Sequence, residues 1–226
     1  MGDAYQDGIV ATLHNFQTKS LEDIEAELKL FSGYRPMELV LPCLYSELEG
    51  PALRHIVEEI SKVDYLNHVI IGLDRADEAQ YRAAHSFFQN LKQPFSLLWN
   101  DGPRIQNIHS QLVERGLAPT EPGKGRNVWY CIGFANARGK AEAIALHDCD
   151  ILTYDRSLLA RLFYPIANPN YQFEFCKGYY ARVADGKMNG RVSRLLLAPL
   201  LIAMARGLGR SDCLDFLRRL RYPVAG

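Results

Sequence analysis

Short apolar runs alternate with amphipathic segments along the first 150 residues of the chain. The apolar runs have the length and composition of buried strands, and they cover residues 38–41, 68–73, 95–99 and 143–147. Apolar positions at helical spacing predict helices over residues 21–31, 51–63, 78–91, 105–115 and 128–137. This alternation is typical of an α/β fold whose mostly parallel sheet is flanked by helices.

The pattern changes after residue 150. A long aromatic run of β type covers residues 172–183, and Asp185-Gly186 is typical of a turn. Helices are predicted over residues 157–163, 192–206 and 212–220. The second part of the chain therefore has a different organisation from the first.

Composition excludes several classes of protein. Of the 226 residues, 48% are hydrophobic and 23% are charged, and the net charge of +0 gives no general attraction to nucleic acid or to an anionic membrane. The 5 widely spaced cysteines are typical of reduced thiols in the cytoplasm rather than of a disulfide framework or a zinc site. No signal-peptide pattern is present, and the apolar run 195–205 is too short to span a bilayer.

Ligands of parallel sheets bind beyond the carboxyl ends of the strands. Candidate site residues are therefore those that follow each predicted strand, at positions 42–47, 74–77, 100–101 and 148–150. The strongest candidate is Asp148-Cys149-Asp150, because side chains two residues apart on an extended segment point to the same side. Two carboxylates there suit Mg²⁺ or Mn²⁺, which takes further oxygens from a diphosphate. The alternative is a pair of aspartates that begins a loop.

Two further segments have the composition of anion sites. Lys124 lies between Gly123 and Gly125, just before a predicted helix, where the backbone can approach a phosphate; an ordinary Pro-Gly turn is the alternative. Gly190, Arg191, Val192 and Ser193 precede or open the helix at 192–206, and the alternative there is a solvated basic helix start. His147 is expected to be buried and hydrogen-bonded rather than a ligand.

These segments, in this order, resemble the glucosyl-3-phosphoglycerate synthases, which are retaining glycosyltransferases of the GT-A type. Residues 41–47 resemble that family's LPALNEE segment, and Asp74 resembles its uridine-side aspartate. Residues 122–125 resemble its PGKGEA motif, and residues 148–150 resemble its DSD motif. Residues 177–180 and 190–201 resemble its KGFY and GRVTELVARPLL segments.

The resemblance implies a GT-A Rossmann-like domain over residues 1–226. Residues 1–150 would form the nucleotide-sugar-binding half, and residues 151–226 would begin the acceptor half. It implies that Asp148 and Asp150 hold Mg²⁺ or Mn²⁺, and that Asp150 and Lys124 are catalytic. The implied donor contacts are Pro42, Cys43, Leu44, Glu47, Asp74, Gly123, Lys124, Asp148 and Cys149. The implied acceptor contacts are Gly190, Arg191, Val192 and Ser193.

The expected reaction moves a hexose, glucose above all, from UDP-glucose, GDP-glucose or GDP-mannose to 3-phosphoglycerate or glycerate. Neither nucleic acid nor membrane is an expected partner. The last residues, 221–226, resemble the start of the family's RYPLAGE segment, and the histidine that completes its metal site lies beyond that segment. We therefore expect a C-terminally truncated chain that binds nucleotide and turns over poorly.

Two alternatives stay open. A sugar-phosphate nucleotidyltransferase has similar parts but needs its glycine-rich turn after the first strand, where this chain has Pro42-Cys43-Leu44-Tyr45. A non-catalytic binding module is the other alternative. Such a module would assemble through the apolar face formed by Leu214, Phe216, Leu217 and Leu220, and a homo-oligomer, a dimer, is expected for the chain.

Overall fold

The computed structural model describes residues 10–13, 19–119, 121–178, 183–184, 187–188, 196–209 and 211–219. Two compact units form, one from Leu21–Pro169 and the other from Met1–Ser20 with Asn170–Gly226. The candidate site lies wholly in the first of these units. Within the part of the chain that the structure describes, no helix is long and apolar enough to cross a membrane.

The larger unit alternates strands and helices as its sequence predicts. Its strands are β2 (Met37–Leu44), β3 (Leu66–Asp74), β4 (Phe95–Trp99) and β5 (Ala143–Leu146), numbered after a strand β1 in the other unit. Its helices are α1 (Leu21–Phe31), α2 (Pro51–Ile60), α3 (Glu78–Phe88), α4 (Pro103–Glu114), α5 (Lys124–Arg138) and α6 (Arg156–Ala167). A short 3₁₀ helix follows β2 at Tyr45–Glu49.

The four strands form a parallel sheet in the order β4-β3-β2-β5. Side chains of β2 alternate between two apolar layers: Leu39 and Leu41 join a core with α1, α2 and α6, while Val40 packs with α5. Burial on both faces explains why β2 and β3 have nearly continuous apolar sequences. The predicted α/β class with a mostly parallel sheet flanked by helices is confirmed.

Two predicted boundaries near the site are wrong. The first predicted strand covers residues 38–41 and stops before Pro42, but β2 continues to Leu44. Pairing of β2 with β5 stops at Val40. Pro42 has no N–H group to donate, and on that side of β2 no further backbone hydrogen bond requires one. The other boundary is that of α5, which begins at Lys124 instead of residue 128 because the Asn127 N–H group already bonds to the Gly123 carbonyl at 3.1 Å.

Gly72 allows α5 to approach β3 very closely. A Cβ atom on Gly72 would lie 1.8 Å from Asn127 Oδ1 and 2.6 Å from Cys131 Sγ, both on α5. Instead, Asn127 Nδ2 donates a hydrogen bond of 2.8 Å to the Gly72 carbonyl. This contact fixes where the first turn of α5 lies along the sheet.

The described part of the smaller unit contains short strands and two helices. β1 (Val10–Leu13) pairs in parallel with β6 (Phe175–Gly178), and β7 (Val183–Ala184) pairs antiparallel with β8 (Lys187–Met188). The helices are α7 (Ala198–Gly207) and α8 (Asp212–Arg219). The predicted turn at Asp185-Gly186 and the chain end at 221–226 lie outside the described residues.

Replacing Gly72 with alanine should destabilise the larger unit, because the new methyl group overlaps two buried side chains of α5. We expect the free energy of unfolding to fall by about 1–3 kcal/mol, as for other overpacked cores. Chemical denaturation measures the change.

Gly133→Ala is the matched control, since Gly133 lies on α5, the helix that Gly72 contacts, and a Cβ atom there would meet nothing within 4 Å. That variant should gain up to about 1 kcal/mol from helix propensity. Equal unfolding free energies for the two variants would contradict the proposed role of the close contact.

Candidate functional site

A cleft of about 350 Å³ opens where the carboxyl ends of the strands meet the start of α5. It lies at the edge of the sheet where parallel α/β folds bind their ligands. Every donor and metal residue named from the sequence lines it: Pro42, Cys43, Leu44, Glu47, Asp74, Gly123, Lys124, Asp148, Cys149 and Asp150. Five further residues line the same cleft, namely Arg75, Asp101, Pro122, Arg126 and Asn127.

Asp148 and Asp150 flank a buried residue at the end of β5. Cys149 is 1% exposed and packs in the core, whereas Asp148 is partly exposed and Asp150 is exposed. The extended segment expected from the sequence does not reach Asp150, because residues 149 and 150 form a turn, but the burial of Cys149 leaves both carboxylates outside the core. The pair therefore offers hard oxygen ligands to the cleft.

Lys124 holds the other side of the cleft. It is the first residue of α5, and its Nζ atom forms an ion pair with the Asp148 carboxylate. The preceding Gly123 has φ 140°, a conformation that a residue with a Cβ atom rarely adopts. The first N–H groups of a helix have no acceptor within the helix, so this end of α5 attracts anions.

Asp74 ends β3 and is positioned by two amide side chains. Its Oδ1 atom accepts a hydrogen bond of 2.8 Å from Asn100 Nδ2. Burial raises the pKa of Asp74 above its ordinary value, although the Asn100 and Asn127 amides both favour the carboxylate. A carboxylate held in this way can accept a hydrogen bond from a ring N–H of a ligand.

Arg75 lies within the positions 74–77 that the sequence indicated, whereas Arg126 was not named as a site residue from the sequence. Arg75 directly follows β3 and has φ 57°, a left-handed conformation that is uncommon for arginine and often occurs at functional sites. Next to it, the Ala76 N–H group donates to Asp101 Oδ2 at 3.1 Å. Arg126 lies in the first turn of α5, and this position at a helix start was the available signal for it.

The floor of the cleft contains two thiols and a carboxylate. The Leu44 N–H group donates to Glu47 Oε2 at 2.8 Å, and Cys43 Sγ donates to the Leu44 carbonyl at 3.2 Å. A hydrogen bond with Cys43 and burial raise the pKa of Cys149 well above its ordinary value. Burial likewise raises the pKa of Glu47.

His147 is buried and hydrogen-bonded, as the sequence predicts. Its Nδ1 atom lies 3.0 Å from the Tyr154 hydroxyl, and only 5% of the residue is exposed. Burial lowers its pKa from 6.5 to about 4, so the ring is neutral at pH 7. The predicted acceptor residues Gly190, Arg191, Val192 and Ser193 lie outside the described residues and stay predictions.

Comparison with curated proteins finds relatives along the whole chain. Glucosyl-3-phosphoglycerate synthase of Persephonella marina is 45% identical over 226 residues, which are 100% of this chain and 56% of the relative. The protein of the same name from Methanococcoides burtonii is 37% identical over 227 residues, which cover 99% of this chain and 55% of the relative. The chain thus spans about half the length of these relatives. No family model matches.

Comparison with solved structures finds the same fold. Glucosyl-3-phosphoglycerate synthase from Mycobacterium tuberculosis, in complex with Mn²⁺, UDP and glucosyl-3-phosphoglycerate, matches 95% of this chain and 62% of its own, with a TM-score of 0.56 at 17% identity. The same enzyme with Mn²⁺, UDP-glucose and phosphoglyceric acid matches 88% of this chain and 59% of its own, with a TM-score of 0.54 at 18% identity.

The buried, neutral His147 should make stability depend on pH. Its folded pKa of about 4 lies below its ordinary value of 6.5, so between these values the unfolded chain binds a proton that the folded chain does not. The free energy of unfolding should therefore fall as pH is lowered from about 7 to about 4, by at most about 1.4 kcal/mol per pH unit for each such histidine.

The measurement is denaturant unfolding from pH 7 to pH 5. Replacement of His147 by asparagine should reduce the slope, whereas replacement of the exposed His85 on α3 should leave it unchanged. His68, whose pKa burial also lowers to about 4, should retain its own share of the slope in both variants. An unaltered slope in the His147 variant would contradict this account.

Proposed function

Because this chain is homologous along its whole length to glucosyl-3-phosphoglycerate synthases, we propose that it carries the donor site of a metal-dependent, retaining glycosyltransferase. The proposed donor is UDP-glucose, with GDP-glucose or GDP-mannose as alternatives, and the proposed acceptor is 3-phosphoglycerate or glycerate. The observation that carries the proposal is that Asp74, Lys124, Asp148 and Asp150 line one cleft. The UDP-glucose and phosphoglyceric acid in the solved M. tuberculosis complex support the choice of substrates.

Asp148 and Asp150 are the proposed ligands of Mg²⁺ or Mn²⁺. Carboxylate oxygens suit either ion, and both side chains reach the cleft from the end of β5. The ion would neutralise negative charge on the departing nucleoside diphosphate. Two carboxylates leave most of the coordination sphere to water and to diphosphate oxygens, which agrees with how Mg²⁺ is usually held.

Lys124 and the start of α5 are the proposed diphosphate contacts. Lys124 pairs with Asp148 in this structure, so binding of a metal at Asp148 would release the ammonium group toward the diphosphate. The N–H groups of the first α5 turn and Arg126 add positive potential on the same side. In this arrangement the negative donor lies between a cation on the carboxylates and the positive end of a helix.

Asp74 is the proposed contact of the nucleotide base. Asn100 and Asn127 fix its carboxylate at the end of β3, and Arg75 lines the cleft next to it. A uracil ring presents one N–H group to such an acceptor. We propose that Pro42, Cys43, Leu44 and Glu47 complete the donor site from β2 and the 3₁₀ helix that follows it.

The acceptor side rests on the sequence resemblance. We propose that Gly190, Arg191, Val192 and Ser193 bind the acid group of phosphoglycerate or glycerate, and that residues 1–226 form a GT-A domain whose acceptor half begins after residue 150. A cytoplasmic location and a homodimer complete the proposal. The five free cysteines support the cytoplasmic location. The apolar positions of α8 support the homodimer.

A nucleotidyltransferase has less support from the local structure. That reaction needs a glycine-rich turn after the first strand of the sheet, but β2 leads into the 3₁₀ helix Tyr45–Glu49 without a glycine. The glycine-rich segment instead precedes α5. A sugar-nucleotide site is consequently the better account of this cleft.

Removing one carboxylate of the metal pair should abolish metal-dependent donor binding. Calorimetric titration with UDP-glucose in the presence of Mn²⁺ should show binding to the unmodified chain. Asp150→Asn should weaken it by about 100-fold, since the metal contributes several kcal/mol to holding the diphosphate. Asp64→Asn is the control, because Asp64 is exposed and pairs with Lys29 away from the cleft.

Lys124→Met separates metal binding from donor binding. It removes the ion pair to Asp148 without removing a carboxylate, so Mn²⁺ should still bind while UDP-glucose binds more weakly. Donor binding that is independent of Mn²⁺, or equal in the Asp150 and Asp64 variants, would refute the proposed site. Binding of GDP-glucose in preference to UDP-glucose would change only the proposed base.

A further inference from the structure

The floor of the cleft brings together three side chains that are far apart in sequence. Cys43 Sγ, Cys149 Sγ and a carboxylate oxygen of Glu47 all lie within 4.8 Å of one another. Both cysteines are 1% exposed, and all three residues line the cleft. The wide spacing of the cysteines in the sequence gave no sign of this cluster.

The sheet register explains how the two thiols meet. β2 and β5 pair in parallel with Val40 opposite Leu146, so Cys43 and Cys149 each lie three residues beyond this pair. Glu47 joins them from the 3₁₀ helix directly after β2, and the Leu44 N–H group at 2.8 Å fixes its Oε2 atom. A backbone hydrogen bond to a carboxylate ligand is the usual way in which proteins orient such a ligand.

We propose that Cys43, Cys149 and Glu47 form a site for a thiophilic divalent cation such as Zn²⁺. Tetrahedral zinc, with bonds of about 2.3 Å to sulfur and 2.0 Å to oxygen, needs ligand atoms about 3.5–3.8 Å apart. The observed separations of at most 4.8 Å require the pairs to close by no more than about 1.0–1.3 Å. All three residues line the cleft, so water or a ligand atom from the cleft would complete the tetrahedron.

Ligand chemistry distinguishes this site from the Asp148 and Asp150 pair. Thiolates select zinc or cadmium, whereas carboxylates alone suit Mg²⁺ and Mn²⁺. On binding, each thiol loses its proton to solvent and the cation replaces it, so two thiolates and one carboxylate surround a charge of +2. The neighbouring aspartates, which lie in the same cleft, further favour a cation there.

Titration with Cd²⁺ tests this site without any sugar nucleotide, so the result does not depend on the proposed transferase function. Cadmium bound to thiolates gives an ultraviolet charge-transfer band that cadmium bound to oxygen alone does not give. The full, reduced chain should develop this band and saturate at one Cd²⁺ per chain. Asp150→Asn should retain the band, because its carboxylate belongs to the other site.

Single substitutions identify the ligands. Cys43→Ser and Cys149→Ser should each remove most of the band. Glu47→Gln should weaken the affinity for Cd²⁺ by at least about 10-fold, because even the loss of a hydrogen-bond partner of a metal ligand typically weakens metal binding that much. Cys131→Ser is the matched control, since Cys131 is equally buried but bonds to Asn127 on α5. Cys213→Ser controls for an exposed thiol.

A second measurement avoids the question of whether the variants fold. X-ray absorption at the zinc edge of the unmodified, zinc-loaded chain should show two sulfur neighbours at about 2.3 Å. A shell of oxygen and nitrogen alone would overturn the proposal. A cadmium band that survives in both the Cys43→Ser and the Cys149→Ser variant would also overturn it. A disulfide between Cys43 and Cys149 that persists under reducing conditions would overturn it as well.

Discussion

The close approach of α5 to β3 at Gly72 is the contact on which the cleft depends. Asn127 occupies the space that a Cβ atom of Gly72 would need, its amide donates to the Gly72 carbonyl, and the same amide favours the charged form of Asp74. One side chain therefore joins the packing of a helix to the position of a candidate base contact. Because α5 starts at Lys124, three residues before Asn127, the contact at Gly72 also sets where Lys124 meets Asp148.

Charge is distributed across the cleft in a way that suits a diphosphate bound with a cation. Carboxylates from the ends of β3 and β5 face basic residues and helix N–H groups of α5. The carboxylates alone would repel phosphate, and the helix start alone would repel a cation. Together, the carboxylates and the helix start favour a cation and a diphosphate bound side by side. In this structure the ion pair between Lys124 and Asp148 balances their opposite charges.

Much of the cleft follows from local sequence, since its residues come directly after apolar strands. Asp74 and Asp148-Cys149-Asp150 could be found in this way, and so could the buried state of His147. The start of α5 at Lys124 could not, because it depends on a backbone bond between Gly123 and Asn127 rather than on apolar spacing. The grouping of Cys43 with Cys149 depends on the register between two strands more than 100 residues apart, which no local pattern encodes.

The central claim is that the Asp148 and Asp150 carboxylates hold a metal that also holds a nucleoside diphosphate. A crystal of the chain grown with Mn²⁺ and UDP-glucose, measured at the manganese absorption edge, tests it directly. The account predicts an anomalous peak within about 2.0–2.2 Å of oxygens from both carboxylates and from the diphosphate, with the base near Asp74. A manganese peak elsewhere, or a nucleotide outside the cleft, would contradict it.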